Sequence, residues 1–363
     1  MKEAGERLRL CYLANAASIH TRRWATHFAS LGHEVHVISF QQAALPGVEV
    51  HWLRPRTTLK PIDYPLAVPA ARRLLEHIVP DVVHAHYVTS YGLVAVLAGI
   101  RPLVVTAWGS DVLLAPRRSP VHRMLVSSVL RRADLVTSMA HHMTETMTGM
   151  GIDGSKVITV PFGVDTAVFH PGLRAPTADL EVICTRNFEP VYNVRLLLDA
   201  LPHVAAQLPR VRCALLGDGS LRGDLAALAR ANRVEERVAW VGRVDQPGVA
   251  RWLARARVFV TPALSDGNNI SLNEAMACGC FPVASDIPAN REWLADGENG
   301  FLVPVDRPDL LADRIIRALR DGELQRRAAA RNWEIVRERA DWRKNMADVE
   351  QWYWRLRGRR TTG

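Results

Sequence analysis

Short apolar runs alternate with longer stretches of helical period along this chain. Runs of strand length cover 8–13, 34–40, 81–84, 102–106, 134–138 and 156–160, and later 180–185, 212–216, 238–241 and 258–260. Stretches of helical period cover 22–31, 194–208, 221–231, 248–256, 270–277 and 308–321. Strands that alternate with helices in this way predict an α/β fold, with parallel sheets joined by crossover helices.

One segment between the two halves is rich in residues that break helices and strands. Residues 161–177 contain Pro161, Gly163, Pro171, Gly172 and Pro176. This density predicts a linker or domain boundary, and a chain of 363 residues is long enough for two domains. We expect domains over 1–165 and 166–340, followed by a C-terminal helix and basic tail over 341–363. The carboxyl ends of the two sheets would face a central cleft, where doubly wound folds bind ligands.

Composition narrows the class of protein. Hydrophobic residues make up 48% and charged residues 23%, as in ordinary globular proteins. The apolar stretch 92–100 is far shorter than the ~18 residues of a membrane-spanning helix. The cysteines lack the C-x2-C spacing of zinc sites, so we expect reduced thiols in the core at Cys11, Cys184, Cys213, Cys278 and Cys280. Acidic residues near the start disfavour a secretion signal, and we expect a cytoplasmic protein.

The net charge of +9 rests on arginine, because only four of the 46 basic residues are lysines. Such a charge suits nucleic acid, an anionic membrane surface or a phosphorylated substrate. Residues 117–132 are spaced as a basic amphipathic helix, which either covers the sheet or lies on anionic lipid. Residues 331–363 have a helical period in which tryptophans alternate with basic residues, and we favour a final packed helix over a nucleic-acid or membrane arm.

The stretch 260–286 is the most informative. It reads VTPALSDGNNISLNEAMACGCFPVASD, a strand followed by a polar turn and a helix. The first backbone N–H groups of this helix, at Asn269, Ile270 and Ser271, are expected to bind an anion such as a diphosphate. Asp266 and Glu274 can reach different hydroxyls of one ligand. Alternatively, Asp266 caps the helix and Glu274 only solvates it.

This stretch resembles the signature of the family-four retaining glycosyltransferases, which have the GT-B fold of two Rossmann-like domains. In that signature an acidic residue and seven others precede the Glu of EAMACG, here 274–279. The run DGENGFLV at 296–303 resembles a second family motif. Further matches occur in family order at 32–35, 83–86, 106–111 and 161–165. The resemblance covers most of the chain.

The resemblance implies transfer of a sugar from a nucleotide-diphosphate sugar to an acceptor hydroxyl, with retention at the anomeric carbon. No metal or other cofactor is implied. The expected acceptor is a glycan, a lipid-linked molecule or a small molecule, in glycan, polysaccharide or glycolipid biosynthesis. The C-terminal helix is expected to return to the N-terminal domain. Peripheral contact with an anionic membrane is compatible with such acceptors, and no nucleic-acid partner is expected.

The resemblance also assigns residues to the two substrates. It places Arg186 on the diphosphate, Asp266 on the transferring sugar and Glu274 on the ribose. The expected donor-binding residues are Arg186, Tyr192, Gly217, Gly219, Val244, Asn268, Asn269, Ile270, Ser271 and Glu274. On the acceptor side we expect His20, Arg23, Trp108 and Asp111.

Three positions depart from the family pattern. Asp266 stands where the family more often has Glu, which is expected to shift the sugar preference rather than abolish transfer. Tyr192 stands where the family has a lysine, and Arg195 lies nearby as a substitute. Trp108 stands where a histidine is common and cannot move a proton, but it can stack on a sugar. Asp111, three residues on, faces an acceptor hydroxyl or caps the next segment. A binding module that has lost catalysis, a sugar-nucleotide epimerase and a nucleic-acid binder remain the alternatives.

Overall fold

The computed structural model describes residues 6–174 and 180–360, which divide into two compact units. The first unit comprises Met1–Val160 and Met346–Gly363, and the second comprises Pro161–Asn345. The second unit therefore begins at the start of the breaker-rich segment. Residues 175–177 of that segment, and the tail beyond 360, lie outside the described residues.

The first unit is a parallel sheet with crossover helices. Its strands are β1 (Arg9–Leu13), β2 (Glu34–Ser39), β3 (Val48–Trp52), β4 (Val82–His86), β5 (Leu103–Ala107), β6 (Leu135–Ser138) and β7 (Val157–Thr159). Its helices are α1 (Ile19–Ser30), α2 (Lys60–Ile78), α3 (Leu93–Ala98), α4 (Ser110–Leu113), α5 (Ala115–Arg118), α6 (Pro120–Arg132) and α7 (His141–Gly149). The strand order is β3-β2-β1-β4-β5-β6-β7.

The pattern predicts six of these seven strands, all except β3. Among the helices it predicts α1 and the stretch that contains α5 and α6, but it does not predict α2, α3, α4 or α7. Helix α1 begins three residues before the predicted start, because the Ser18 hydroxyl oxygen accepts a hydrogen bond from the His20 N–H at 3.3 Å. The predicted basic helix over 117–132 is divided into α5 and α6 at Ser119, which caps α6.

The second unit repeats this architecture. Its strands are β8 (Leu180–Cys184), β9 (Cys213–Leu216), β10 (Val238–Gly242), β11 (Ala256–Thr261), β12 (Phe281–Ser285) and β13 (Phe301–Val303). Its helices are α8 (Val194–Gln207), α9 (Arg222–Ala231), α10 (Gln246–Arg255), α11 (Ile270–Ala277), α12 (Pro288–Arg291), α13 (Pro308–Arg320) and α14 (Gly322–Arg339). The strand order is β10-β9-β8-β11-β12-β13, and all pairs are parallel.

Both faces of the second sheet are buried. Along β8, Val182 and Cys184 belong to one hydrophobic cluster, and Ile183 belongs to the cluster on the opposite face. Alternate residues of a strand point to opposite faces, so helices must cover both sides. All five cysteines are free and buried, as expected.

In each unit the strand order reverses beside the first strand. The reversal lies between β1 and β4 in the first sheet and between β8 and β11 in the second. In open α/β sheets this switch point leaves a crevice at the carboxyl ends of the strands, where ligands bind. The segments that follow β8 and β11 contain Arg186 and Asp266.

The last helix, α15 (Trp342–Arg360), begins in the second unit and continues into the first. Met346, Val349, Tyr353 and Leu356 form its buried stripe. The expectation that the C-terminal helix packs and returns to the first domain is confirmed. Within the described residues, no helix combines the length and the apolar character needed to cross a bilayer.

Candidate active site

Arg186 follows β8 by two residues, and its guanidinium is held by several groups. Its Nη2 lies 2.6 Å from Asp266 Oδ2, and its Nη1 donates to Asn269 Oδ1 at 3.0 Å. Nη1 is also 3.4 Å from Ser271 Oγ. The guanidinium carbon lies 4.1 Å from the centre of the Tyr192 ring. These contacts place the charge of Arg186 at the switch point between β8 and β11.

Asn269 is the residue that organises this cluster. It is fully buried and caps α11, because its Oδ1 accepts a hydrogen bond from the Leu272 N–H at 3.2 Å. Its Nδ2 donates to Thr261 Oγ1 at 3.1 Å and to Asn290 Oδ1 at 2.8 Å. Asn269 is predicted to bind the donor through its backbone N–H, and its side chain holds Arg186 and the helix in place.

Gly217 and Gly219 lie beside the backbone of the Arg186 segment. Gly217 has φ +144°, and a Cβ at this residue would lie 2.5 Å from the Arg186 carbonyl oxygen. A Cβ at Gly219 would lie 2.5 Å from the Phe188 carbonyl oxygen. Only glycine allows the loop after β9 to approach so closely, so this loop supports the position of Arg186.

Several buried polar atoms near this cluster have no partner. Among the described residues, Arg186 Nε, Thr185 Oγ1 and both side-chain polar atoms of Asn268 make no hydrogen bond. A buried polar group without a partner costs about 1–3 kcal/mol, and such groups are rare in native proteins. They belong to the segments after β8 and β11, which are neighbours in the sheet. Their arrangement suits a polar ligand.

The remaining residues predicted to bind the donor lie outside the cluster around Arg186 or differ in exposure. Glu274 is partly exposed on α11, and Val244 is 37% exposed just before α10. One expectation is wrong: the Ile270 N–H donates to the Asn268 carbonyl oxygen at 2.8 Å, so this amide is not available to an anion. The tight turn that precedes α11 uses it.

Neither Tyr192, which stands at the lysine position of the family, nor the nearby Arg195 supplies a second positive charge beside Arg186. Tyr192 stacks against the guanidinium and offers no charge of its own. Arg195 is exposed on α8, and its Nε lies 3.3 Å from Asp199 Oδ2, one helical turn away. The structure therefore gives no support to Arg195 as a substitute.

In the first unit Asp111 connects two loops at the carboxyl end of the sheet. Its carboxylate is fully buried and accepts hydrogen bonds from the N–H groups of Val88 at 2.9 Å, Gly109 at 2.9 Å and Trp108 at 3.0 Å. Burial raises the pKa of Asp111, although these amides oppose the shift. The prediction that Asp111 caps the next segment is wrong, because Gly109 occupies the N-cap of α4 and no side chain among the described residues caps this helix. Asp111 instead holds the segments after β4 and β5 together.

His20 and Trp108 are in ring contact. Their ring centres lie 4.8 Å apart with the planes inclined by 31°. His20 is the second residue of α1, and Arg23 lies one turn further along the same helix. Both side chains are partly buried. Two of the four predicted acceptor-side residues therefore meet at the switch point between β1 and β4.

His86 is a further residue of this cluster and is not among the site residues predicted from the sequence. It ends β4, is 4% exposed, and lies 5.5 Å from Trp108 between ring centres. Burial lowers the pKa of His86 to about 3, so the imidazole is neutral at pH 7. Among the described residues, neither of its ring nitrogens has a hydrogen-bond partner. The H-x-H pattern at a strand end was the available signal.

Backbone strain marks the same place. Tyr87 has φ +79° and opens a π-helical turn over 87–92. Its hydroxyl lies 2.6 Å from Ser110 Oγ. A non-glycine residue with positive φ and a π-helical turn both occur often at functional sites.

Two doubly wound units, each with a polar cluster at its switch point, define a GT-B protein. The HepE protein of Anabaena, solved with UDP and glucose, aligns with a TM-score of 0.81 over 96% of this chain and 100% of that chain, at 18% identity. A family model for glycosyl transferases group 1 matches residues 179–321, and a glycosyl transferase 4-like model matches residues 9–140. The chain belongs to this family of glycosyltransferases.

Two relatives are more similar in sequence. The phosphatidyl-myo-inositol mannosyltransferase of Mycobacterium tuberculosis is 37% identical over 201 residues, 52% of this chain. The D-inositol 3-phosphate glycosyltransferase of Jonesia denitrificans is 30% identical over 284 residues, 69% of this chain and 66% of that protein. The match covers 51% of the length of the mycobacterial protein, about half.

Proposed function

We propose that this chain transfers a hexosyl group from a nucleoside-diphosphate sugar to an acceptor hydroxyl, with retention at the anomeric carbon. The observation that carries the proposal is the buried Arg186, oriented by Asp266 and Asn269 and left with an unpartnered Nε. A fixed guanidinium is well suited to phosphate oxygens. The family and the GT-B fold support the same reaction.

In this proposal the nucleoside-diphosphate sugar binds to the second unit. Arg186 and the N-terminus of α11 stabilise the negative charge that develops on the departing diphosphate. Asp266 positions Arg186 and reaches a hydroxyl of the transferring sugar. Glu274 accepts hydrogen bonds from the ribose hydroxyls, and the unpartnered amide of Asn268 binds the donor as well.

The chemical step exchanges one bond for another at the anomeric carbon. The acceptor oxygen bonds to this carbon on the face that the diphosphate leaves, and the bond from the carbon to the phosphate oxygen breaks. The acceptor proton passes to the departing phosphate. His20, Arg23, Trp108 and His86 of the first unit contact the acceptor, with Trp108 stacked on its sugar or polyol ring.

We further propose that the acceptor is lipid-linked. Both named relatives act on inositol compounds, and one of those is a lipid. Helix α6 exposes Val121 by 65% and Met124 by 68%, with Arg117, Arg118 and Arg123 close in sequence. An amphipathic basic helix of this kind binds anionic membranes. The double variant Val121→Ser with Met124→Ser should then weaken co-sedimentation with anionic vesicles, and unchanged binding would contradict this part.

Turnover measurements test the function as a whole. The chain is incubated with UDP-, GDP- and ADP-sugars, with and without candidate acceptors, and the release of nucleoside diphosphate is measured. We expect one class of donor to be consumed. NMR should show the same anomeric configuration in the product as in the donor. Glu274→Ala should lose turnover. Donor binding without release would instead show a module that has lost catalysis. Conversion of the donor alone into its epimer would show an epimerase.

A further inference from the structure

A second cluster of polar side chains lies at the edge of the first sheet. His36 of β2 is paired in register with Glu49 of β3, and His51 lies two residues further along β3, on the same face as Glu49. His36 Nδ1 is 3.1 Å from His51 Nε2 and 3.5 Å from Glu49 Oε2. His51 Nε2 is 3.6 Å from Glu49 Oε1. None of these residues belongs to the candidate active site.

The hydrogen bonds of His36 show which ring nitrogen faces the cluster as an acceptor. His36 Nε2 lies 3.2 Å from Glu34 Oε1, and a carboxylate oxygen accepts hydrogen bonds. Nε2 therefore carries the proton, and in a neutral imidazole Nδ1 then presents a lone pair to His51 and Glu49. The repulsion between this lone pair and the Glu49 carboxylate is relieved by a metal ion that lies between them or by a second proton on His36.

We propose that His36, Glu49 and His51 bind a divalent transition-metal ion, Zn²⁺ by preference. Zinc binds imidazole nitrogen at about 2.0–2.1 Å and carboxylate oxygen at about 2.0–2.2 Å, which in a tetrahedron places ligand atoms roughly 3.3–3.5 Å apart. The two imidazole nitrogens lie 3.1 Å apart, and they lie 3.5 and 3.6 Å from different oxygens of the Glu49 carboxylate. Glu49 is exposed, so a small rotation of its carboxylate can bring one oxygen within this range of both nitrogens. Two imidazoles with one carboxylate suit Zn²⁺ better than Mg²⁺ or Ca²⁺. A water molecule completes the fourth position.

The surroundings of His36 support the same assignment. Histidine ligands commonly donate their other N–H to a carboxylate, which orients the ring. Glu34 has this position, and Arg9 Nε holds the same Glu34 oxygen at 2.6 Å. His36 is 7% exposed, so its ring is fixed by its neighbours. The ion would join the edge strand β3 to β2 and stabilise the first unit.

Metal titration of the chain without an affinity tag tests the proposal. The protein is treated with chelator, dialysed and titrated with Zn²⁺ by calorimetry, and separately with Co²⁺, whose visible absorption reports tetrahedral coordination. We expect one ion per chain and a rise in the melting temperature with Zn²⁺. His51→Gln and Glu49→Gln change exposed or partly exposed side chains, so both variants should fold. Each should bind Zn²⁺ at least tenfold more weakly and lose the tetrahedral Co²⁺ bands.

The control variant is His122→Gln, which removes an exposed histidine from α6 of the same unit. It should bind both ions as the wild type does. Absence of binding at micromolar Zn²⁺ would overturn the proposal, because a proton shared between the two histidines would then explain the cluster. Binding that His51→Gln and Glu49→Gln leave unchanged would also overturn it, since the ion would lie elsewhere.

Discussion

Arg186 donates through Nη2 to Asp266 Oδ2 at 2.6 Å, and the two side chains are only 8% and 14% exposed. Removing either partner of such a pair leaves a buried charge without compensation, which is costly. The pair keeps the guanidinium at one position before any ligand arrives. A diphosphate would then find a cation that needs little reorganisation.

Replacement of Arg186 should weaken donor binding. Arg186→Ala removes a charge-assisted contact worth about 1.5–3 kcal/mol, so the dissociation constant of the nucleoside diphosphate should rise roughly ten- to a hundredfold. Calorimetry with the nucleotide measures this change. Arg195→Ala, which removes an exposed arginine paired with Asp199, is the matched control and should leave the affinity unchanged. Equal affinities for both variants would disprove the role of Arg186.

Replacement of Asn269 should lower stability as well as activity. Asn269→Ala removes the cap of α11 and takes one hydrogen-bond partner from each of Asn290, Thr261 and Arg186. We expect the free energy of unfolding to fall by about 2–4 kcal/mol, measured as a lower urea midpoint. Asn187→Ala, at an exposed residue next to Arg186, should change it by less than about 0.5 kcal/mol. If Asn269→Ala left the urea midpoint unchanged, the hydrogen bonds of Asn269 would contribute little to stability.

Two glycines test the close approach of the loop after β9. Gly217→Ala places a methyl group 2.5 Å from the Arg186 carbonyl oxygen at φ +144°, so we expect lower stability and weaker donor binding. Gly223→Ala adds a methyl group with no atom within 4 Å, inside α9. That change should stabilise the protein by about 0.5–1 kcal/mol. The melting temperatures of the two variants should move in opposite directions, and a shift of the same sign would contradict the packing.

Buried histidines should make the first unit sensitive to acid. Burial lowers the folded-state pKa of His86 to about 3, and it also lowers the pKa of His84. The unfolded chain binds a proton near pH 6.5, whereas the native His86 does not until about pH 3. The free energy of unfolding is therefore highest above about pH 6.5. It decreases as the pH falls below this value, by up to about 1.4 kcal/mol per pH unit for each histidine.

The variant His86→Phe isolates this effect. Urea midpoints measured between about pH 7 and pH 5 should fall less steeply in His86→Phe than in the wild type, because one titrating group is absent. The exposed His203→Gln on α8 serves as the control and should keep the wild-type slope. Identical slopes in all three proteins would mean that His86 is protonated in the native state.

Most strands of both sheets could be predicted from the sequence, because strands buried on both faces are continuous apolar runs. Helix α2 could not, since Pro65 and Pro69 lie inside it and proline disfavours the helix interior. Strand β3 is short and alternates valine with polar residues at the edge of its sheet. Tertiary packing selects the structure in both cases.

The sequence predicts which residues form the candidate site better than it predicts what each side chain contacts. The strand, turn and helix of 260–286 indicate that Asp266 and Asn269 lie together near an anion site. The sequence does not show that the Asn269 side chain accepts hydrogen bonds from Arg186 and caps α11. Nor does it show that three backbone N–H groups donate to the Asp111 carboxylate. These contacts join residues that are distant in the chain or depend on loop conformation, so they appear only in the folded structure.

A crystal structure of the chain with the nucleoside diphosphate that binds it would show whether Arg186 and Glu274 hold the donor. We expect a phosphate oxygen at about 2.7–3.1 Å from Arg186 Nε, with the ribose against Glu274. A nucleotide bound away from both residues would contradict the proposed donor site. So would an Arg186 region that the chain's own side chains close, with the nucleotide excluded.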